Sequence, residues 1–177
     1  MNPSEIIYRP ARPVDADQVH RLYATAAEEE GSLVEAPNEI SAELIRTRIR
    51  NATNRRNRLF LVAVEDTRIV GMLSLEGHKL RALRHLRYLS AVVEPQFRRH
   101  GIGTKLMEQA LEWAHTTPEV EKIELRVREN NEAGVAFCTK FGFIREGHLK
   151  HHLMLPNGRR LDDLVMALFV DTPPADD

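Results

Sequence analysis

Val93-Glu94-Pro95-Gln96-Phe97-Arg98-Arg99-His100-Gly101-Ile102-Gly103-Thr104-Lys105-Leu106 joins a β-prone run to a helical one through two arginines, a histidine and two glycines. Upstream, Leu89-Ser90-Ala91-Val92-Val93 reads as a buried strand. Downstream, Ile102, Leu106, Ala110 and Trp113 recur at helical spacing, and Pro118 marks the helix end. Glycine lets a backbone approach a ligand closely, and the first-turn amides of a helix lack intrahelical partners. Added to the positive helix end, the charges of Arg98 and Arg99 make such a turn an anion site, suited to a phosphate or pyrophosphate. No Gly-Lys-Ser/Thr follows at P-loop spacing, and Leu106 stands where a dinucleotide fingerprint has its third glycine. Taken alone, the segment also reads as a glycine-bearing turn with solvated arginines.

Working outward, Leu59–Val64 and Ile69–Leu75 are apolar runs of strand length joined by Glu65-Asp66-Thr67, which predicts an antiparallel hairpin covered on both faces. Towards the N-terminus, Ile6-Ile7-Tyr8 is a short strand closed by Pro10 and Pro13. Asp15 or Asp17 then caps a helix carrying Val19, Leu22, Tyr23 and Ala26. That helix runs out at Glu28-Glu29-Glu30-Gly31, Ser32 to Asn38 reads as a loop, Ser41 caps a second helix bearing Leu44, Ile45 and Ile49, and Asn51–Asn57 reads as a turn. Beyond the long helix, Ile123-Glu124-Leu125-Arg126-Val127 alternates as a strand should. Asn131 opens a helix with Ala133, Ala136, Phe137 and Phe141, which Gly142 stops. A hairpin about Pro156-Asn157-Gly158 completes the pattern. The expectation is one α/β domain of the α+β type over residues 1–171. Its central sheet is mixed, mainly antiparallel and flanked by helices, with a frayed tail at 172–177.

Composition narrows the class. The 177 residues are 42% hydrophobic and 29% charged, with a formal charge of −1 and one cysteine, Cys138. A balanced charge gives no field to recruit nucleic acid or a membrane surface. A single cysteine excludes an intrachain disulfide and Cys-rich zinc modules. Neither an apolar run of about 18 residues nor a basic-then-apolar leader pattern occurs, so a cytoplasmic globular protein is expected.

The two glycine-bearing segments, taken in order, resemble the GNAT superfamily of acyl-CoA-dependent N-acetyltransferases. Arg98-Arg99-His100-Gly101-Ile102-Gly103 fits the family's Arg/Gln-x-x-Gly-x-Gly/Ala loop, and Asn131, Ala133 and Gly142-Phe143 fit its second signature. The resemblance extends from Ile7-Tyr8-Arg9-Pro10-Ala11 to the Asn157-Gly158, Asp162, Met166 hairpin, which is similar to that of amino-acid, ribosomal-protein and polyamine acetyltransferases. It implies acetyl-CoA as co-substrate and acetyl transfer to a primary amine, of a small molecule or a peptide, by direct attack in a ternary complex. It further implies that the amides of Arg99, His100, Gly101, Ile102, Gly103 and Thr104 hold the coenzyme A pyrophosphate. By the same resemblance, Ala91, Val92 and Val93 would pair with the pantetheine amides, the strand of Ile123–Arg128 would diverge from them in a V, and Asn131, whose alternative role is the N-cap of the helix it opens, would bond the pantetheine arm. Exposed sheet edges in this fold often pair into a homodimer.

Departures from the family leave the proton-transfer groups open. Many relatives carry a Tyr as acid seven residues after the Asn, where this chain has Cys138. A thiol with a reference pKa of about 8.5 can protonate a thiolate, but it is shorter than a phenol, so a buried filler role is the alternative. The thiolate otherwise leaves unassisted or takes a proton from water or Tyr88. Some relatives place a Glu at the position held here by Arg126, and others an acidic residue where Tyr88 stands. Glu76, His78, His85 and Glu35 remain as candidate bases. A non-catalytic acyl-CoA-binding domain is the competing function.

Other signals read as solvated surface. Arg46, Arg48, Arg50, Arg55, Arg56 and Arg58 lie within 13 residues, but no aromatic interleaves them. Glu28, Glu29, Glu30, Glu35 and Glu39 would suit a cationic amine or simply form a hydrated helix end. His151 and His152 are neighbours on a strand and cannot both line one site without a bulge, so no metal is expected.

Overall fold

The structure is a computed structural model that describes residues 5–29, 39–54 and 57–170. The strands are β1 (Ile6–Pro10), β2 (Leu59–Glu65), β3 (Arg68–Gly77), β4 (Leu86–Val93), β5 (Lys122–Arg128), β6 (Ile144–Met154) and β7 (Arg160–Phe169). The helices are α1 (Ala16–Ala27), α2 (Ala42–Asn54), α3 (Ile102–His115) and α4 (Glu132–Lys140). The strands form one sheet in the order β1-β2-β3-β4-β5-β7-β6. Every neighbouring pair is antiparallel except β4 and β5, which are parallel because α3 carries the chain across between them. The mixed, mainly antiparallel sheet flanked by helices is the architecture expected from the sequence.

Two apolar layers cover the sheet. On one face, Val19, Leu22, Tyr23 and Ala26 of α1 join Ile45 and Ile49 of α2 over Phe60, Val62, Met72 and Val92. On the other, Ile102, Leu106, Met107 and Ala110 of α3 pack over Leu61, Ala63, Leu73, Leu89, Ile123 and Leu125. The all-apolar runs of β2 and β3 follow from this double cover: β2 is buried from Phe60 to Val64 and β3 from Ile69 to Leu75. Gly71 lets α3 settle onto β3, since a Cβ there would lie 3.0 Å from Ile102 Cγ2. Ser41 caps α2 by accepting from the Leu44 amide at 3.1 Å.

Several local expectations are corrected. Asp15 sits at the start of α1 but its side chain makes no cap bond there. Its carboxylate accepts two bonds from the Arg9 guanidinium, at 2.6 and 2.9 Å, and one from the Arg12 amide at 2.7 Å. A bidentate cation is a stronger partner than a helix-end amide, so the cap residue turns back to β1. Asn51–Asn54 belong to the last turn of α2. Thr53 finds a partner inside that helix by donating to the Ile49 carbonyl at 3.0 Å. β4 starts at Leu86, three residues earlier than hydrophobicity indicates, because Arg87 is buried within it. The loop expected at Ser32–Asn38 and the tail at 172–177 lie outside the described residues.

Burial pushes the Asp15 carboxyl up, but Arg9 and the Arg12 amide outweigh it and hold the group below the usual carboxylate range. A depressed folded value means stability that is present above the unfolded pKa of about 3.9 and lost as pH falls through the folded value. Asp15→Ala is expected to cost about 2 kcal/mol at neutral pH, as for hydrogen bonds to a charged group. Denaturant unfolding of both proteins from about pH 7 down to about pH 3 should show the gap narrowing. A gap that stays constant would show that the charge is not its source.

Candidate active site

The site begins where one pair of strands parts. β4 and β5 are in register only at Leu86/Lys122, Arg87/Ile123 and Tyr88/Glu124. Beyond that fork β4 stays paired with β3 as far as Val93/Gly71, and β5 stays paired with β7 as far as Arg128/Asp163. Residues 89–93 and 125–128 therefore face each other across a V with no strand ladder between them. Buried backbone donors and acceptors are costly when unpaired, by about 1–3 kcal/mol each. An edge left open in mid-sheet fits an extended ligand carrying amide groups of its own.

At the mouth of the V the chain makes a tight turn before α3. Arg99 and Gly101 have φ of +63° and +80°, left-handed conformations that bend successive amides towards one concavity. Arg99 accepts this conformation at some cost, whereas glycine does so freely. No side chain caps α3, so its first amides remain available for an anion. Arg98 is committed elsewhere: its Nε donates to the Val93 carbonyl at 3.1 Å, and its two Nη atoms donate to Glu29 at 2.9 and 2.6 Å. His100 and Arg99 are exposed and Ile102 is buried. Across the mouth, Phe137 of α4 lies 3.5 Å from where a Cβ on Gly103 would stand, an ordinary contact distance, so α4 packs beside the first turn of α3.

Asn131 caps α4, with Oδ1 accepting from the Gly134 amide at 2.9 Å. Sequence reasoning passed over Gly134, whose hypothetical Cβ would fall 2.7 Å from Asn131 Nδ2. A glycine three residues after a capping Asn is the signal that could have found it.

The candidate proton-transfer groups separate cleanly. Tyr88 stands at the fork, 43% exposed, opposite Glu76 on β3 and Glu124 on β5. Glu76 Oε1 is 3.6 Å from Arg48 Nε. Strand alternation puts Arg126 on the same face, two residues past the last paired position. His85 precedes β4 at the closed end, where its carbonyl accepts from the Glu121 and Lys122 amides, so it is not at the V. His78 follows β3 beyond Gly77, at that same closed end. Cys138 lies in the core under α4, and burial pushes its thiol up to about 11. Glu35 lies outside the described residues.

One group escaped the sequence reading. β6 does carry a bulge, with a register shift between Leu149 and Leu153 and a φ of +52° at His151. The bulge separates the two histidines, and the His151 amide donates to Asp162 Oδ1 at 2.7 Å. The His152 ring reaches Arg126, with Nε2 3.2 Å from Nη1. Behind it, Asp163 is fully buried and ion-paired with Arg128 through Oδ1. Nearby, His148 Nε2 lies 2.8 Å from Asp162 Oδ2 and 3.5 Å from Glu129 Oε2, and these three residues bring their ligand atoms within 4.8 Å of one another.

Among the described arginines of the 46–58 segment, Arg46 pairs with Glu43 and Asp17, Arg48 with Glu76 and Arg50 with Glu43. Arg55 and Arg56 lie outside the described residues. No described helix is long and apolar enough to cross a membrane.

Residues 16–143 match the model of the acetyltransferase (GNAT) family. The chain is 29% identical over 107 residues to the L-amino acid N-acetyltransferase AaaT of Escherichia coli K12, covering 60% of this chain and 65% of that protein. It is 24% identical over 161 residues to the spermidine N(1)-acetyltransferase of the same organism, covering 91% and 84%. The fold superposes with a TM-score of 0.85 on yncA, a putative acetyltransferase from Salmonella typhimurium solved with its cofactor acetyl-CoA, at 19% identity over 98% and 99% of the two chains.

Two outcomes follow from this geometry. Cys138→Ala is expected to keep turnover within about twofold, and the native thiol to react with a disulfide reagent only on unfolding, since the buried thiolate is scarce. A large loss of turnover in that variant would restore Cys138 as the acid. Gly101→Ala meets no atom within 4 Å. Its effect is therefore conformational: a loss of about 1 kcal/mol in stability, with severalfold weaker acetyl-CoA binding by calorimetry. Unchanged binding would separate this turn from the anion site.

Proposed function

The chain is an N-acetyltransferase of the GNAT family that uses acetyl-CoA, and we propose that it moves the acetyl group to a primary amine by direct attack in a ternary complex. The observation that carries this reading is the V between β4 and β5 with a left-handed turn and uncapped helix end at its mouth. Both parts fit the donor: an open strand edge suits an amide-bearing pantetheine arm, and a concavity of amides suits a pyrophosphate. When bound, acetyl-CoA supplies an activated acetyl thioester.

In this reading the backbone of Ala91, Val92 and Val93 pairs with the arm. The amides of Arg99, His100, Gly101, Ile102, Gly103 and Thr104 hold the pyrophosphate. Arg98 steadies the loop and adds positive charge, and Asn131 reaches the arm with the amide group that its cap leaves over. Positioning of two reactants in one groove supplies much of the rate. Direct attack is supported by the chain's own chemistry, because its single cysteine is buried with a thiol pushed up to about 11 and is a poor acetyl carrier. Tyr88, exposed at the fork, is the group suited to protonate the leaving sulfur.

The acceptor is drawn from the amine classes of the two relatives, amino acids and polyamines. Release of free CoA from acetyl-CoA, read by thiol colorimetry across amino acids, polyamines, aminoglycosides and short peptides, tests this directly. Turnover with one class above the no-acceptor blank, with intersecting initial-velocity lines, is expected. Parallel lines or an isolable acetyl-enzyme would overturn direct attack. Tight acetyl-CoA binding with no turnover on any amine would favour an acyl-CoA-binding domain instead.

A further inference from the structure

The geometry points to His152 as the proton acceptor for the attacking amine, with Arg126 and Asp163 as its positioning residues; the inference rests on the acetyl-transfer reading above. Three observations converge on one atom. Arg126 Nη1 lies 3.2 Å from His152 Nε2. A guanidinium can only donate, so this bond requires Nε2 to present a lone pair, with the neutral ring's hydrogen on Nδ1. Asp163 Oδ2 lies 3.8 Å from the same Nε2, and it is buried without a hydrogen-bond partner. Its sister oxygen is held by Arg128, so the carboxylate cannot turn away. One nitrogen therefore stands between a donor that fits its unprotonated form and a buried acceptor that would hold it once protonated. Nε2 has a single lone pair, so uptake of the proton displaces the Arg126 donor, and the buried Asp163 carboxylate then stabilises the imidazolium.

Place supports the role. Arg126 is two residues beyond the fork on the face shared with Tyr88 and Glu76, so the ring that touches it stands beside the V. The bulge at residues 149–153 breaks the alternation that in a regular β6 would turn His152 to the face opposite Leu149 and Asp163, and so brings the ring there. The charged and titratable groups facing this place are Arg126 and Glu124 from β5, Asp163 from β7, and Tyr88 and Glu76 across the fork. In the step, the acceptor nitrogen passes a proton to Nε2, directly or through one water, as its C–N bond forms. The C–S bond breaks with its electron pair on sulfur, Tyr88 protonates that sulfur, and exchange with solvent resets Tyr88 and His152.

Two measurements test this. Histidine nitrogen correlation spectra of the ligand-free protein above pH 8 should show His152 with hydrogen on Nδ1, and Arg126→Gln should shift population to the Nε2-hydrogen form. A wild-type ring carrying hydrogen on Nε2 would overturn the inference whether or not any amine is turned over. With an accepted amine, His152→Ala is expected to lower kcat at least about 100-fold, the usual range for loss of a general base. Acetyl-CoA affinity should be unchanged, and added imidazole should restore part of the rate. Turnover within threefold of wild type, or a loss that imidazole does not touch, would reject the role. Wild-type binding of acetyl-CoA with no turnover would count against acetyl transfer itself, and the spectra would still decide the state of His152.

Discussion

The site depends on a limit to pairing. β4 and β5 share three aligned positions and then part, while each keeps its outer neighbour for the rest of its length. The outer ladders keep both strands extended, so the inner edges diverge without unfolding. This is how a seven-stranded sheet carries an opening in its middle, where an edge would ordinarily invite another chain. The two cores flank the split: α1 and α2 pack over β2–β4, and the α3 layer runs from β1 across to β5 and β7.

That split also explains which side chains can do chemistry. On β5, Ile123, Leu125 and Val127 face the α3 core, so Glu124, Arg126 and Arg128 must face the other way. Arg128 is captured by Asp163, and Lys122 lies 2.8 Å from both Glu124 and Glu146. Arg126 is the β5 residue on that face whose guanidinium meets a histidine rather than a carboxylate. The fork thus collects Tyr88 and Glu76 from one strand pair and Arg126 with His152 from the other.

Much of this was legible in the sequence because it is carried by local pattern. The apolar runs of β2 and β3, the helical spacing of Ile102, Leu106 and Ala110, and the Asn131 cap each depend on residues close in the chain. The left-handed turn before α3 was legible too, since glycine at Gly101 answers a backbone demand that a sequence can show. What was hidden rests on long-range partners. Asp15 reads as a cap until Arg9 is placed beside it, and the Arg98 pairing with Glu29, just past the end of α1, joins residues 69 positions apart. Strand alternation sets His151 and His152 on opposite faces, a sound rule that the β6 bulge breaks. The bulge has no glycine or proline to announce it, and His151 takes its φ of +52° with a bond from its amide to Asp162.

The Arg98–Glu29 pair shows how the resting loop and a ligand-holding loop can share one arginine. Both side chains are 43% exposed, and exposed ion pairs contribute roughly 0–1 kcal/mol. The bond from Arg98 Nε to the Val93 carbonyl is local and fixes where the guanidinium begins its reach. A pyrophosphate at the turn would compete with Glu29 for the two Nη donors as a bidentate anion of higher charge. In the proposed reading, exchanging one anion for another would keep every donor satisfied, so Arg98 would pass from Glu29 to the ligand with little loss. Without Glu29, the same arginine would stand over the turn unpaired and the loop would lose its tether to α1. In that reading the Glu29 carboxylate would preserve the shape of the turn by standing in for the ligand's anion.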